Sequence, residues 1–305
     1  MKKIFVLSLL LILIGLILNY KDTLLQYASR YYDGFKKEIV MDNVNEYYRD
    51  YDFEFVQNTK NFYPTNKQEL LNVYYTIINS GNSEFTFYCP SDYQECLNDV
   101  QGISNDQTIL SDINNYVHPF NSFKHVSTEY DSVGRVKLTI EKAYTQEEID
   151  LVKAKVDELS TQLINPNDST YNNILRVHDY IINNSKYDSD RSDRNIINYK
   201  SDIAYGPLFE GYAICGGYTD LMELFFEKMG LKSYRVSSYL HIWNVVKIKD
   251  KWYHVDLTWD DPVLSDGTDD VLHEYMLIDT KKLLELEKSQ HSFNQDVFIE
   301  VKEVN

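Results

Sequence analysis

The sequence predicts an α+β protein, and three observations carry that prediction. Apolar residues recur at helical spacing after residue 68, after 145, after 170 and after 217. Short alternating stretches at 83–88, 123–129, 135–141, 241–248 and 252–257 read as half-buried strands. Turn residues join neighbouring stretches, Gly134 in YDSVG and the Lys249-Asp250-Lys251 tripeptide, which predicts hairpins.

Composition bounds the rest. The chain has 305 residues, 43% hydrophobic and 25% charged, a globular balance with room for one large domain or two modest ones. Thirty Lys and Arg stand against 47 Asp and Glu, a net charge of -17, which argues against nucleic acid or an anionic membrane surface as partner.

Taken in order, the chain opens with Met1-Lys2-Lys3 and an unbroken apolar-to-small run from Ile4 to Leu18. A basic start and such a run predict a signal peptide or signal-anchor over 1–20, with the remainder exported. The membrane would then be met through this segment only. The product is a single-pass protein with an extracellular C-terminal part, or a secreted one if the segment is cleaved.

Residues 21–144 read as a smaller α+β accessory region. Thr65 and Gln68 suggest a capping box ahead of a helix, and EFTFY suggests a short strand. Cys89 and Cys96 lie in YCPSDYQEC, and oxidising conditions would favour a disulfide between them worth about 2 kcal/mol. His118 and His125 are isolated and read as packing or surface residues.

The second part, 145–305, starts with a helix opened by Thr145 and the acidic Glu147 and Glu148. A second helix over TYNNILRVHDYIINN carries His178, which reads as structural, and 189–201 reads as a loop. The most informative stretch runs from Tyr205 to Pro262. Glycines 211, 216 and 217 surround Cys215, and the periodic helix that follows stops at Gly230. Cys215 therefore stands at a helix N-terminus, where free N–H groups and the dipole favour a thiolate. Small neighbours would also let a substrate backbone approach. A two-residue turn within 249–251 puts His241 and Asp256 on one face of the hairpin, within reach of each other. His254 lies on that face too, as a rival base whose packing role is favoured. No short-spaced ligand pair is present, so no metal or cofactor is expected.

These residues carry a resemblance. C-G-G-Y at 215–218, H-I-W-N at 241–244 and D-L-T-W-D-D-P at 256–262 resemble the transglutaminase-like superfamily. Tyr205-Gly206, Gly211 to Tyr218 and Lys186-Tyr187-Asp188 are similar to its bacterial exported members. The resemblance covers 165–280 and implies a papain-like core, with helices packed on an antiparallel sheet. It also implies a catalytic triad of Cys215, His241 and Asp256. Trp243, Trp259 and Tyr205 match less specifically, as residues lining the substrate or, for Tyr205, supporting an oxyanion. The implied chemistry is attack on an amide bond through a thioester, on a protein or peptide substrate that includes cell-wall peptide. A catalytically silent binding or structural module of the same fold is the alternative.

Overall fold

The computed structural model describes residues 2–25, 28, 39–41, 43–262 and 271–302. Helix α1 (Lys2–Asn19) opens the chain, and its Leu10, Leu13, Leu16 and Leu18 stand exposed. Among the described residues no helix is long and apolar enough to cross a membrane.

Helix α2 (Lys67–Asn79) is capped one residue later than the sequence suggested. Asn66, in extended conformation, accepts from Glu69 N, and Glu69 reaches back to Thr65 N at 2.9 Å. Asn66, a preferred capping residue, takes the position in place of Thr65, and the Gln68 amide donates to Phe55 O. Strand β1 (Glu84–Tyr88) leads to helices α3 (Cys96–Asn105) and α4 (Gln107–Asn114). Cys89 is bridged to Cys96 at the start of α3, with Cα atoms 5.6 Å apart. Strands β2 (Phe123–Tyr130) and β3 (Arg135–Lys142) follow, and the three strands pair antiparallel in the order β1-β3-β2. His118 is buried, its Nδ1 accepting from Phe120 N and its Nε2 2.7 Å from Glu227.

Helix α5 (Gln146–Leu163) begins with a full capping box of Thr145 and Glu148. Helix α6 (Thr170–Asn183) buries Ile174, Val177, Ile181 and Ile182 on one stripe. Strand β4 (Lys186–Tyr187) leads into helix α7 (Ser189–Arg194), a turn capped by Asp188 where the sequence suggested loop. The short parallel partner β5 (Tyr212–Ala213) pairs with β4 and delivers the chain to α8 (Cys215–Lys228). Strands β6 (Ser233–Ser237), β7 (Ile242–Ile248) and β8 (Lys251–Val255) form an antiparallel meander, followed by the helical turn α9 (Leu257–Asp260). Strand β9 (Met276–Ile278) adds to β8, and helix α10 (Thr280–Leu286) closes the series.

The sheet β6-β7-β8-β9 is apolar on both faces. Val246 and Val255 join a core with Val152, Val177, Leu221 and Phe225, so α5, α6 and α8 cover one side. Tyr234, Val236, Trp243 and Val245 point the other way, into a core shared with Leu70, Tyr116 and Phe298. Residues before 145 thus pack on the same sheet as the hairpin. A buried polar network reinforces the junction. Arg49 pairs with Glu223 of α8 and donates to Tyr116 O at 2.9 Å. Arg235 donates to Asp220 of α8 at 2.9 Å and to Ser122 Oγ at 2.8 Å.

Candidate active site

Cys215 occupies the first position of α8, after Ile214 in extended conformation. Ile214 offers no capping side chain, so the N–H groups of the first turn remain directed out of the helix end beside the thiol. The glycines after Cys215 serve a different purpose from the open approach suggested by sequence. A Cβ on Gly217 would lie 2.3 Å from Ser201 O, and one on Gly216 would lie 2.8 Å from Asp202 O. The chain's own 201–203 backbone fills that space, and Ile214 N donates to Ser201 O at 2.8 Å.

The hairpin then fixes the imidazole. Ile248 pairs with Lys251, leaving a two-residue turn in which Lys249 takes φ +56°, as such turns require. His241 and Asp256 therefore share a face, one residue beyond the ends of β7 and β8. Their His241 Nε2 to Asp256 Oδ2 distance is 2.5 Å, with both side chains buried. With Nε2 taken by the carboxylate, Nδ1 is left for the thiol, and Cys215 is among the groups that favour the charged imidazole. The helix and strand are held in register by two further contacts. The Thr219 hydroxyl sits 2.6 Å from Cys215 O and 3.1 Å from Ile242 O, and Asn244 Nδ2 donates to Thr219 O at 3.0 Å.

Electrostatics favour an ion pair. Burial opposes protonation of His241, but the charge and hydrogen bond of Asp256, then Cys215, raise its pKa above the ordinary histidine value. Burial likewise opposes the charge of Asp256, yet His241 first, and His291 after it, hold its carboxyl well below the usual range. Asp256 Oδ1 also accepts from Thr258 N and Trp259 N, capping α9 at 3.0 and 3.3 Å.

Sequence reasoning missed His291. Its Nε2 lies 2.9 Å from the same Asp256 Oδ2, and its Nδ1 lies 3.0 Å from Glu287 O, with the ring fully buried. Both partners are acceptors. Two imidazoles therefore share one carboxylate oxygen. The residue stands 35 positions beyond Asp256 with no periodic pattern around it, so no local signal marks it.

Of the remaining candidates, Trp243 and Trp259 pack on this centre, and the ring contacts of Tyr205 lie elsewhere. Trp243 stacks on His241 with ring centroids 5.5 Å apart and meets His291 edge-on at 4.9 Å. Trp259 contacts His291 at 5.5 Å and Tyr275 at 5.5 Å. Tyr205 packs on Phe209 at 4.8 Å, beneath Lys200 Nζ. His254 accepts from Trp243 Nε1 at 2.9 Å and faces Thr280 Oγ1 at 2.9 Å. Burial first, and His291 second, push its pKa down to about 3, so it is a neutral packing imidazole. A cavity of 610 Å³ is lined by Gly216 and Ile242, the chain neighbours of Cys215 and His241, with Tyr199, Lys200, Phe123 and Lys124.

The geometry accords with one family, whose match spans the cysteine helix and the hairpin. Residues 157–257 match the transglutaminase-like superfamily. This transglutaminase-like segment contains Cys215, His241 and Asp256. No curated protein matches the chain. Two solved structures resemble part of it. One is described as a TGase, 15% identical with a TM-score of 0.32, the alignment covering 45% of this chain and 44% of that one. The other is a Cytophaga hutchinsonii protein proposed to be a cysteine protease, 13% identical with a TM-score of 0.29, covering 48% of this chain and 65% of that one. The chain thus spans less than two thirds of either structure's length.

Proposed function

We propose that the transglutaminase-like core is a cysteine enzyme that acts on amide bonds of a protein or peptide through a thioester. One observation carries the reading: a cysteine at a helix start interacts with an imidazole whose Nε2 is held by a buried carboxylate. In the reaction, the Cys215 thiolate attacks the amide carbonyl carbon and forms a C–S bond. The oxyanion that develops is met by the Cys215 backbone N–H and a second donor, for which Tyr205 is the candidate. His241 passes its Nδ1 proton to the leaving amine as the C–N bond breaks, and Asp256 holds the imidazole in place. The acyl group then passes from sulfur to an amine or to water, and His241 takes the incoming proton. The acceptor decides between cross-linking, deamidation and hydrolysis.

The exported location belongs to the same proposal. It is supported by the exposed apolar face of α1 behind Lys2 and Lys3, and by the Cys89–Cys96 bridge, which suits an oxidising compartment. The substrate is then a cell-envelope protein or cell-wall peptide.

Mass spectrometry of envelope proteins and cell-wall peptides incubated with the protein, and with its Cys215→Ala variant, tests the reading. A new isopeptide, a lost ammonia or a cut bond that requires Cys215 supports it and names the acceptor. A thiol whose labelling by an amide-like electrophile is ordinary and unchanged in His241→Ala would show a silent module that retains the fold.

A further inference from the structure

The geometry points to a second site: His178, Asp179 and His273 hold a borderline divalent cation of the zinc class, with Asp260 as the outer carboxylate. It lies apart from the thiol, and its argument stands independently of the proposed reaction. It also departs from the expectation, drawn from ligand spacing, that the chain holds no metal. The spacing gave no hint because the third ligand comes from 94 residues away.

His178 is fully buried on α6, and both its nitrogens face carboxylates. Nε2 lies 3.1 Å from Asp260 Oδ2 and Nδ1 lies 3.0 Å from Asp179 Oδ1. That same Asp179 oxygen lies 2.8 Å from His273 Nε2. The three prospective ligand atoms all fall within 4.8 Å of one another. Tetrahedral zinc bonds of about 2.0–2.1 Å place ligand atoms about 3.3 Å apart, and the two contacts to Asp179 Oδ1, at 3.0 and 2.8 Å, are close to that spacing.

Two imidazoles converge on the same Asp179 oxygen, and two carboxylates, Asp179 and Asp260, supply charge to balance a divalent cation. Asp260 is itself fixed, accepting from Tyr275 N at 3.0 Å. It thereby orients His178 in the carboxylate–histidine arrangement that metal-bound imidazoles use. Two nitrogens and one oxygen suit zinc, cobalt or nickel ions better than calcium or magnesium. The Asp179 and His273 side chains are 37% and 41% exposed, which leaves an entry path and room for a water as fourth ligand.

Bound there, the ion would tie α6 to the segment leading into β9. That segment supplies Tyr275 O, which accepts from Asp256 N at 3.1 Å, so the cation site adjoins the support of the catalytic carboxylate.

Equilibrium dialysis of the full chain against Zn²⁺, with thermal unfolding in parallel, tests the site. The variants are Cys215→Ser, which removes the thiol as a competing ligand, and His273→Gln, a half-exposed position that spares the core. The expected result is one equivalent bound by the wild type and by Cys215→Ser, with a rise in unfolding temperature. In His273→Gln the affinity falls at least tenfold and the rise disappears. An Asp260→Asn variant that remains folded is expected to weaken binding by about 10–100-fold. No stoichiometric binding, or binding kept by His273→Gln and lost in Cys215→Ser, overturns the site.

Discussion

Replacing Asp256 by asparagine is expected to disarm the thiol while leaving most of the fold standing. The two oxygens of this carboxylate have separate duties. Oδ1 caps α9 through Thr258 N and Trp259 N, and an asparagine carbonyl reproduces that acceptor. Oδ2 faces His241 and His291, and an amide NH₂ there removes the negative charge and cannot accept from either ring. Removing one partner of a buried charge pair costs about 3–5 kcal/mol. Losing the cap as well adds about 1 kcal/mol. Asp256→Ala should therefore lose about 4–6 kcal/mol in urea unfolding, and Asp256→Asn about 1 kcal/mol less. The pH dependence follows from the directions of the shifts. The raised His241 contributes stability in full below the ordinary histidine pKa of about 6.5, lost as pH rises through its higher folded value. The depressed Asp256 contributes above the ordinary aspartate value of about 3.9, lost as pH falls through its lower folded value. In Asp256→Asn the alkaline loss should move toward neutrality, and iodoacetamide labelling of Cys215 at neutral pH should slow with it. A labelling profile that superimposes on the wild type would refute the ion-pair reasoning.

Three other outcomes follow from the same geometry. His291→Asn should slow Cys215 labelling at neutral pH by about tenfold, equivalent to about 1.4 kcal/mol, because the Asp256 carboxylate loses its second hold; peptide mass spectrometry of the label measures it. Gly217→Ala would gain up to about 1 kcal/mol on an open helix, but its Cβ meets Ser201 O at 2.3 Å, so a net loss of about 1–3 kcal/mol is expected in thermal unfolding. A Cys89→Ala/Cys96→Ala double variant should lose about 2 kcal/mol in urea unfolding with no change in the rate of Cys215 labelling.

Features written locally in the sequence were the legible ones. Thr145 and Glu148 stand three residues apart, and they form the capping box that opens α5. The period from 218 to 226 places Cys215 at a helix start, and the turn at Lys249-Asp250 sets the hairpin register. What escaped depends on distance or brevity. Helix α7 is a single capped turn, too short for an apolar period to show. Helices α3 and α4 bury only a few residues each and sit in a polar stretch. His291 and β9 acquire their meaning only once the chain has returned to the sheet. The glycines at 216 and 217 were visible as small residues, but the backbone that crosses them comes from a segment read as loop.

The arginine pairs behind α8 bear on where this protein can be divided. Arg49 and Arg235 neutralise Glu223 and Asp220 on the rear of the cysteine helix. Arg49 comes from well before the transglutaminase-like segment at 157–257. A fragment trimmed to that segment would keep Arg235 but leave Glu223 without Arg49, and it would bare the apolar sheet face that Tyr116 and Leu70 cover. The leading residues thus pack against the rear of the cysteine helix and the far face of its sheet, outside the segment recognisable by likeness.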